Sequence, residues 1–165
     1  MTNTFDVRSA IPADAEMIKQ FALDNNMFEL DEIAVFDEML SGFFDGTLGD
    51  HSWIVATADD GGVVSAAYFA PEPLADRMWN LYFIATEPSR HGDGSGTTLI
   101  EYIEAQLRRR GHDVALTLIV DTSSSDEYAQ TRAFYEKRGF VEESRIRDFF
   151  GPGDAKVTFW KSLIG

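Results

Sequence analysis

The chain has 165 residues, 44% apolar and 13% aromatic, a length that fits one ordinary domain with enough core to fold without a metal or disulfide staple. It has no cysteine, which excludes a thiol nucleophile, a thiolate metal site and a disulfide framework. Twenty-eight acidic against fourteen basic side chains give a formal net charge of −14, which disfavours binding to nucleic acid or anionic lipid.

Phe5 to Arg8 alternates as a first strand, and Pro12 opens a helix with Ala15, Ile18 and Ala22 on one face. Asp31 has the character of a cap for a second helix carrying Ile33, Phe36, Leu40 and Phe43, with Gly46 as its stop. Ser52–Ala56 and Val63–Phe69 then form a hairpin around Asp59-Asp60-Gly61-Gly62. After Pro71-Glu72-Pro73 comes Trp79–Thr86, whose apolar character predicts a central strand covered on both faces.

Next stands His91-Gly92-Asp93-Gly94-Ser95-Gly96, and behind it a helix with Leu99, Ile100, Ile103 and Leu107 that closes on Arg108-Arg109-Arg110-Gly111. Val114–Val120 reads as a buried strand, completing a βαβ unit with parallel strands. Ser124 and Glu127 have capping-box spacing for a last helix running to Arg138 and ending at Gly139-Phe140. Two strands follow, about Val141 to Asp148 and Lys156 to Leu163, around Gly151-Pro152-Gly153-Asp154. No linker or repeat interrupts the chain, so a single domain over residues 1–165 is expected.

Glycines at 92, 94 and 96 remove Cβ atoms where a strand passes into a helix, so backbone N–H groups can converge on an anion at the positive helix end. The spacing lacks the Gly-Lys-Ser/Thr of a Walker loop and the early position of a Rossmann turn. The run Thr86-Glu87-Pro88-Ser89-Arg90-His91-Gly92-Asp93-Gly94-Ser95-Gly96 instead resembles the cofactor-binding motif of the GNAT superfamily of N-acetyltransferases. Phe134-Tyr135-Glu136-Lys137-Arg138-Gly139-Phe140 resembles that family's second signature, and Asp121–Ser124 through Asp148-Phe149-Phe150 is similar to a bacterial subgroup of it.

The resemblance implies an α/β (α+β) GNAT fold: a mixed sheet of six to seven strands, about four helices, and a parallel strand pair splayed at a cofactor cleft. It implies acetyl-CoA as acyl donor and an amine as acceptor, joined by direct attack. It places the pyrophosphate on His91, Gly92, Asp93, Gly94, Ser95 and Gly96, and the pantetheine amides on the backbone of Ile84 and Thr86. Tyr128 falls where the family often has an Asn touching the pantetheine arm, though core packing explains it equally. His91 stands where Gln or Arg is usual and Asp93 where a base is common, so weaker cofactor binding is expected unless Asp93 turns to solvent or pairs with Arg90.

A lysine-like amine has a pKa of about 10.4, so some group must remove its proton before it attacks a thioester. Glu72, Tyr82 and Glu87 lie near strands that could face the acceptor, and the sequence singles out none of them. Tyr135 is the expected acid for the departing thiolate, its phenol of about 10 lying close to a thiol of about 8.5; packing against the cofactor is the other reading. His51 and His112 lack metal-ligand spacing, and no metal is expected. The loop Phe149–Gly153 either borders the acceptor or is a plain turn.

The acidity either keeps the protein soluble, as in a salty cytoplasm, or attracts a cationic amine. No apolar stretch approaches a membrane span of roughly 18 residues, and the N-terminus lacks a signal pattern, so a cytoplasmic protein without membrane or nucleic-acid partners is expected. A homodimer and a monomer are both compatible with the sequence. The alternative function is a module on the same fold that senses acyl-CoA without turnover.

Overall fold

The computed structural model describes residues 4–27 and 32–164. Its strands are β1 (Asp6–Ser9), β2 (Ser52–Thr57), β3 (Val63–Pro71), β4 (Met78–Thr86), β5 (Thr117–Ser123), β6 (Val141–Gly151) and β7 (Asp154–Ser162). Its α-helices are α1 (Ala15–Asp24), α2 (Ile33–Phe44), α3 (Ser95–Arg110) and α4 (Ala129–Lys137). The seven strands form one mixed sheet in the order β1-β2-β3-β4-β5-β7-β6. The expected α/β class, strand number and helix number are all present.

The chain divides into two compact units, residues 1–70 with 83–103, and residues 71–82 with 104–165. In the first, β1, β2 and β3 pair antiparallel. The predicted helical stripe on α2 buries Phe36 and Leu40, and Phe36 meets Trp53 and Phe83 edge-on at 5.3 and 5.2 Å. Each such aromatic side chain contributes about 1.5–3 kcal/mol by leaving water. Lys19 on α1 bonds Asp37 on α2 at 2.8 Å. The expected cap of α2, Asp31, lies outside the described residues.

In the second unit β4 runs parallel to β5, with register from Met78↔Thr117 to Leu81↔Val120. Beyond Val120, β5 continues to Ser123 paired with β7, and β7 pairs in turn with β6. Leu107, Leu118, Val120, Phe140, Val157, Phe159 and Leu163 are buried here.

Three local expectations are corrected. The strand expected over Val114–Val120 runs Thr117–Ser123, because the amides of Val114 and Ala115 fold back onto the Gly111 carbonyl and make a turn of those residues. The capping box of Ser124 and Glu127 does not form: Ser124 Oγ accepts the amide of Ala155 on β7, and a 3-10 turn, Asp126–Tyr128, precedes α4. Finally, β4 is central as expected, but only one face is fully covered: Trp79, Leu81, Phe83 and Ala85 are buried, whereas on the alternate face Asn80 is buried and Tyr82 is 44% exposed.

Candidate active site

The glycine turn follows the 3-10 turn Pro88–Arg90 and leads into α3. Gly92 and Gly94 have φ of +85° and +97°, the left-handed region that side chains avoid, and a Cβ on either would stand in open space. Among the described hydrogen bonds the amides of Gly92, Gly94 and Gly96 meet no partner; Gly96 lies in the first turn of α3, where no intrahelical acceptor exists, and the other two precede the helix. The Ser95 side chain is wholly buried and its hydroxyl also lacks a partner. Unpaired donors at the positive end of a sixteen-residue helix fit a diphosphate.

Asp93 does not point to solvent. Its Oδ1 accepts the Ser95 amide at 2.9 Å, and its buried Oδ2 lies 3.9 Å from Arg90 Nη1. The carboxylate thus caps α3 and pairs loosely with the cation expected for it, while occupying one amide that an anion could use. Arg90 is shared, its Nε standing 3.5 Å from Glu87.

His91 Nε2 donates to the Thr86 carbonyl at 3.2 Å, and Asn25 Nδ2, at the end of α1, donates to the same oxygen at 2.9 Å. Both lone pairs of that carbonyl are therefore engaged within the chain. Ile84 is half-buried on the same strand.

Tyr135 lies in the second unit, 3% exposed, with its ring against Phe134, Phe140 and Phe159 at centroid distances of 5.6, 5.9 and 5.7 Å. Burial, and secondarily the charge of Asp121, push its phenol well above the ordinary range, so the hydroxyl stays protonated at any working pH. Tyr128 closes the 3-10 turn before α4 and is half-buried; burial first, then the charges of Glu127 and Asp154, also raise its phenol. Along α4 a shallow groove is lined by Gln130, Ala133, Phe134, Lys137 and Arg138, with the Arg138 guanidinium 4.2 Å over the Phe134 ring.

The second unit also joins residues the sequence left separate. Glu72 Oε2 accepts the Tyr82 hydroxyl at 2.7 Å and Asn80 Nδ2 at 3.0 Å. Asn80, the polar residue inside the apolar run of β4, was the signal that could have found this cluster. Of the remaining histidines, His51 Nδ1 is bonded to the Tyr68 hydroxyl, and the backbone carbonyl of His112 accepts from Arg77. Among the described residues no group of three or more His, Cys, Asp or Glu could hold a metal ion, and no helix is long and apolar enough to cross a membrane.

Comparison with known proteins bears on this geometry. A family profile for the acetyltransferase (GNAT) domain matches residues 49–142, more than half of the chain. A Desulfovibrio desulfuricans structure assigned to the GNAT family shares 26% identity and a TM-score of 0.85, over 98% of this chain and 100% of that one. A Salmonella typhimurium protein solved with its cofactor acetyl-CoA gives 18% and 0.78, over 98% and 95% of the two chains. An aminoglycoside 6'-N-acetyltransferase complexed with coenzyme A gives 16% and 0.75, over 97% and 98%. Among curated proteins none matches this chain.

Proposed function

Because this chain belongs to the GNAT acetyltransferase family, we propose that it transfers an acetyl group from acetyl-CoA to an amine by direct attack. The observation that carries the reading is the turn Gly92–Gly96, whose unpaired amides and buried Ser95 hydroxyl suit the cofactor's pyrophosphate. When bound, acetyl-CoA supplies the thioester carbon. The chain's residues hold the cofactor and stabilise the leaving group: the turn takes the diphosphate, the backbone of Ile84 and the Thr86 amide take pantetheine, and the Tyr135 hydroxyl is the acid group that serves the departing sulphur. A phenol raised by burial holds its proton firmly, so its contribution is a hydrogen bond that strengthens as thiolate charge develops.

Calorimetric titration with acetyl-CoA, run beside thiol release with a panel of amines, tests the reading. Saturable binding with amine-dependent release is the expected result. Binding without release would favour a sensor of acyl-CoA, which the Asp93 carboxylate beside the diphosphate turn keeps in view. No binding at millimolar cofactor would sink both readings.

A further inference from the structure

β6 stands last in the sheet order and pairs only with β7, so one side of its backbone meets no strand. Ten of its eleven residues, Val141 to Phe150, are exposed. A long exposed edge is a template for another strand, unless proline or repelling charge blocks it. β6 has no proline, and its charges are of both signs: Glu142 and Glu143 lead, Arg145 and Arg147 follow. From Glu142 to Arg147 they cancel, which makes this edge a neutral stretch in a chain whose net charge is −14.

The two faces of β6 differ in character. Val141, Ser144 and Ile146 stand opposite Trp160, Thr158 and Lys156 of β7, and Ile119 of β5 stands opposite Trp160 in turn. Ile119, Trp160 and Val141 thus form an apolar row that runs out to the edge, where Val141 is 52% and Ile146 48% exposed. On the other face Glu142 and Arg145 stand opposite Phe159 and Val157, bonded to each other at 2.8 Å and both exposed. Between them Glu143 is bulged out of the register with β7.

We infer that β6 is the interface through which two copies of this chain associate, strand to strand and antiparallel about a two-fold axis. With the axis near Ser144, Val141 of each copy comes beside Ile146 of the other on one face, and Glu142 of each meets Arg145 of the other on the opposite face. An antiparallel copy reverses the order of charge, so the acidic half of one strand lies along the basic half of the other. A strand charged with one sign would repel its own copy. The pairing uses neither the glycine turn nor Tyr135 and does not depend on acyl transfer.

Sedimentation of the full-length protein tests the pairing. At about 50 μM and about 0.15 M salt, where charges beyond about 8 Å are screened, the protein should run at twice the chain mass of 18.5 kDa. Two variants each reverse one half of the strand: Glu142→Lys with Glu143→Lys, and Arg145→Glu with Arg147→Glu. Each alone sets like charges against like, and its dimer Kd should rise about a hundredfold or more. Mixed one to one, the two should recover the dimer as a hetero-pair, because acid again faces base. A merely structural role for these side chains gives no recovery on mixing. Both variants lose the exposed Glu142–Arg145 bond within one chain, a small loss that near-UV circular dichroism against the parent checks. If either fails to fold, the single changes Glu143→Lys and Arg147→Glu replace them, with a rise in Kd of about tenfold apiece and the same recovery on mixing.

A monomeric parent would overturn the inference and leave the edge to an extended segment of a different protein. Species heavier than a dimer would indicate open-ended pairing of β6 with β1 of the next copy and would overturn the two-fold arrangement. Dimers that survive both reversals, or reversed chains that stay monomeric when mixed, would sink it as well.

Discussion

Replacing Asp93 with Asn isolates the one charge in the glycine turn that would oppose an anion. The amide oxygen of Asn still accepts the Ser95 N–H that Asp93 holds at 2.9 Å, so the start of α3 keeps its cap. What disappears is a unit negative charge on a side chain only 13% exposed, loosely offset by Arg90 at 3.9 Å. At a separation of about 7 Å and an effective dielectric of about 40, each phosphate charge is repelled by about 1.2 kcal/mol. Two phosphate charges double that figure and Arg90 cancels about half, leaving about 1.2 kcal/mol, or an eightfold fall in Kd. Calorimetric titration with CoA at low ionic strength reads this directly. Repeating it near 1 M salt, where the Debye length is about 3 Å, should shrink the gap between parent and variant. A folded Asn variant that binds CoA no more tightly than the parent would refute the placement of the diphosphate at this turn.

Tyr135→Phe should lower kcat for thiol release roughly 10- to 100-fold with the CoA Kd unchanged, and the two pH–rate profiles should share one shape, because the buried phenol does not titrate in the assay range. Gly94→Ala, at φ of +97°, should cost about 1–2 kcal/mol in denaturant unfolding and weaken CoA binding at least about tenfold by placing a methyl group in the open turn. Asp14→Asn should destabilise the fold by about 1–2 kcal/mol at pH 7, since the carboxylate accepts two bonds from Arg8 and one from the Ile11 amide. Burial pushes the Asp14 carboxyl up, but those bonds outweigh it and hold it below the usual range. Its stabilising effect is therefore full above the unfolded value of about 3.9 and is lost as pH falls through the folded value, so parent and variant should converge in acid.

Where one side of an element decides its fate, the sequence was readable. Leu99, Ile100, Ile103 and Leu107 recur at helical spacing, and all four are buried on α3. The turn at 92–96 was legible as a strand-to-helix connection, because Gly92 and Gly94 take the positive φ that side chains avoid. What escaped depended on partners distant in the chain. Ser124 has the local spacing of a cap, yet its hydroxyl bonds Ala155, 31 residues on. Glu72, Asn80 and Tyr82 are separated by eight and ten residues, and no periodicity links a loop carboxylate to the open face of a strand. The rise of the Tyr135 phenol likewise comes from burial, first, and from Asp121, surroundings that only the fold assembles.

The Thr86 carbonyl has a further meaning for how the first unit responds to change. One oxygen atom is the common anchor of the α1 terminus, through Asn25 61 positions away, and of the glycine turn, through His91. Asn25 also donates from the same nitrogen to Phe21, locking the last turn of the helix to the strand's end. A two-bracket joint of this kind transmits displacement: a shift of α1 that lengthens the Asn25 bond leaves His91 as the one side chain bonded to the Thr86 carbonyl among the described contacts. Residues at the tip of α1 are thus mechanically coupled to the turn through one shared oxygen.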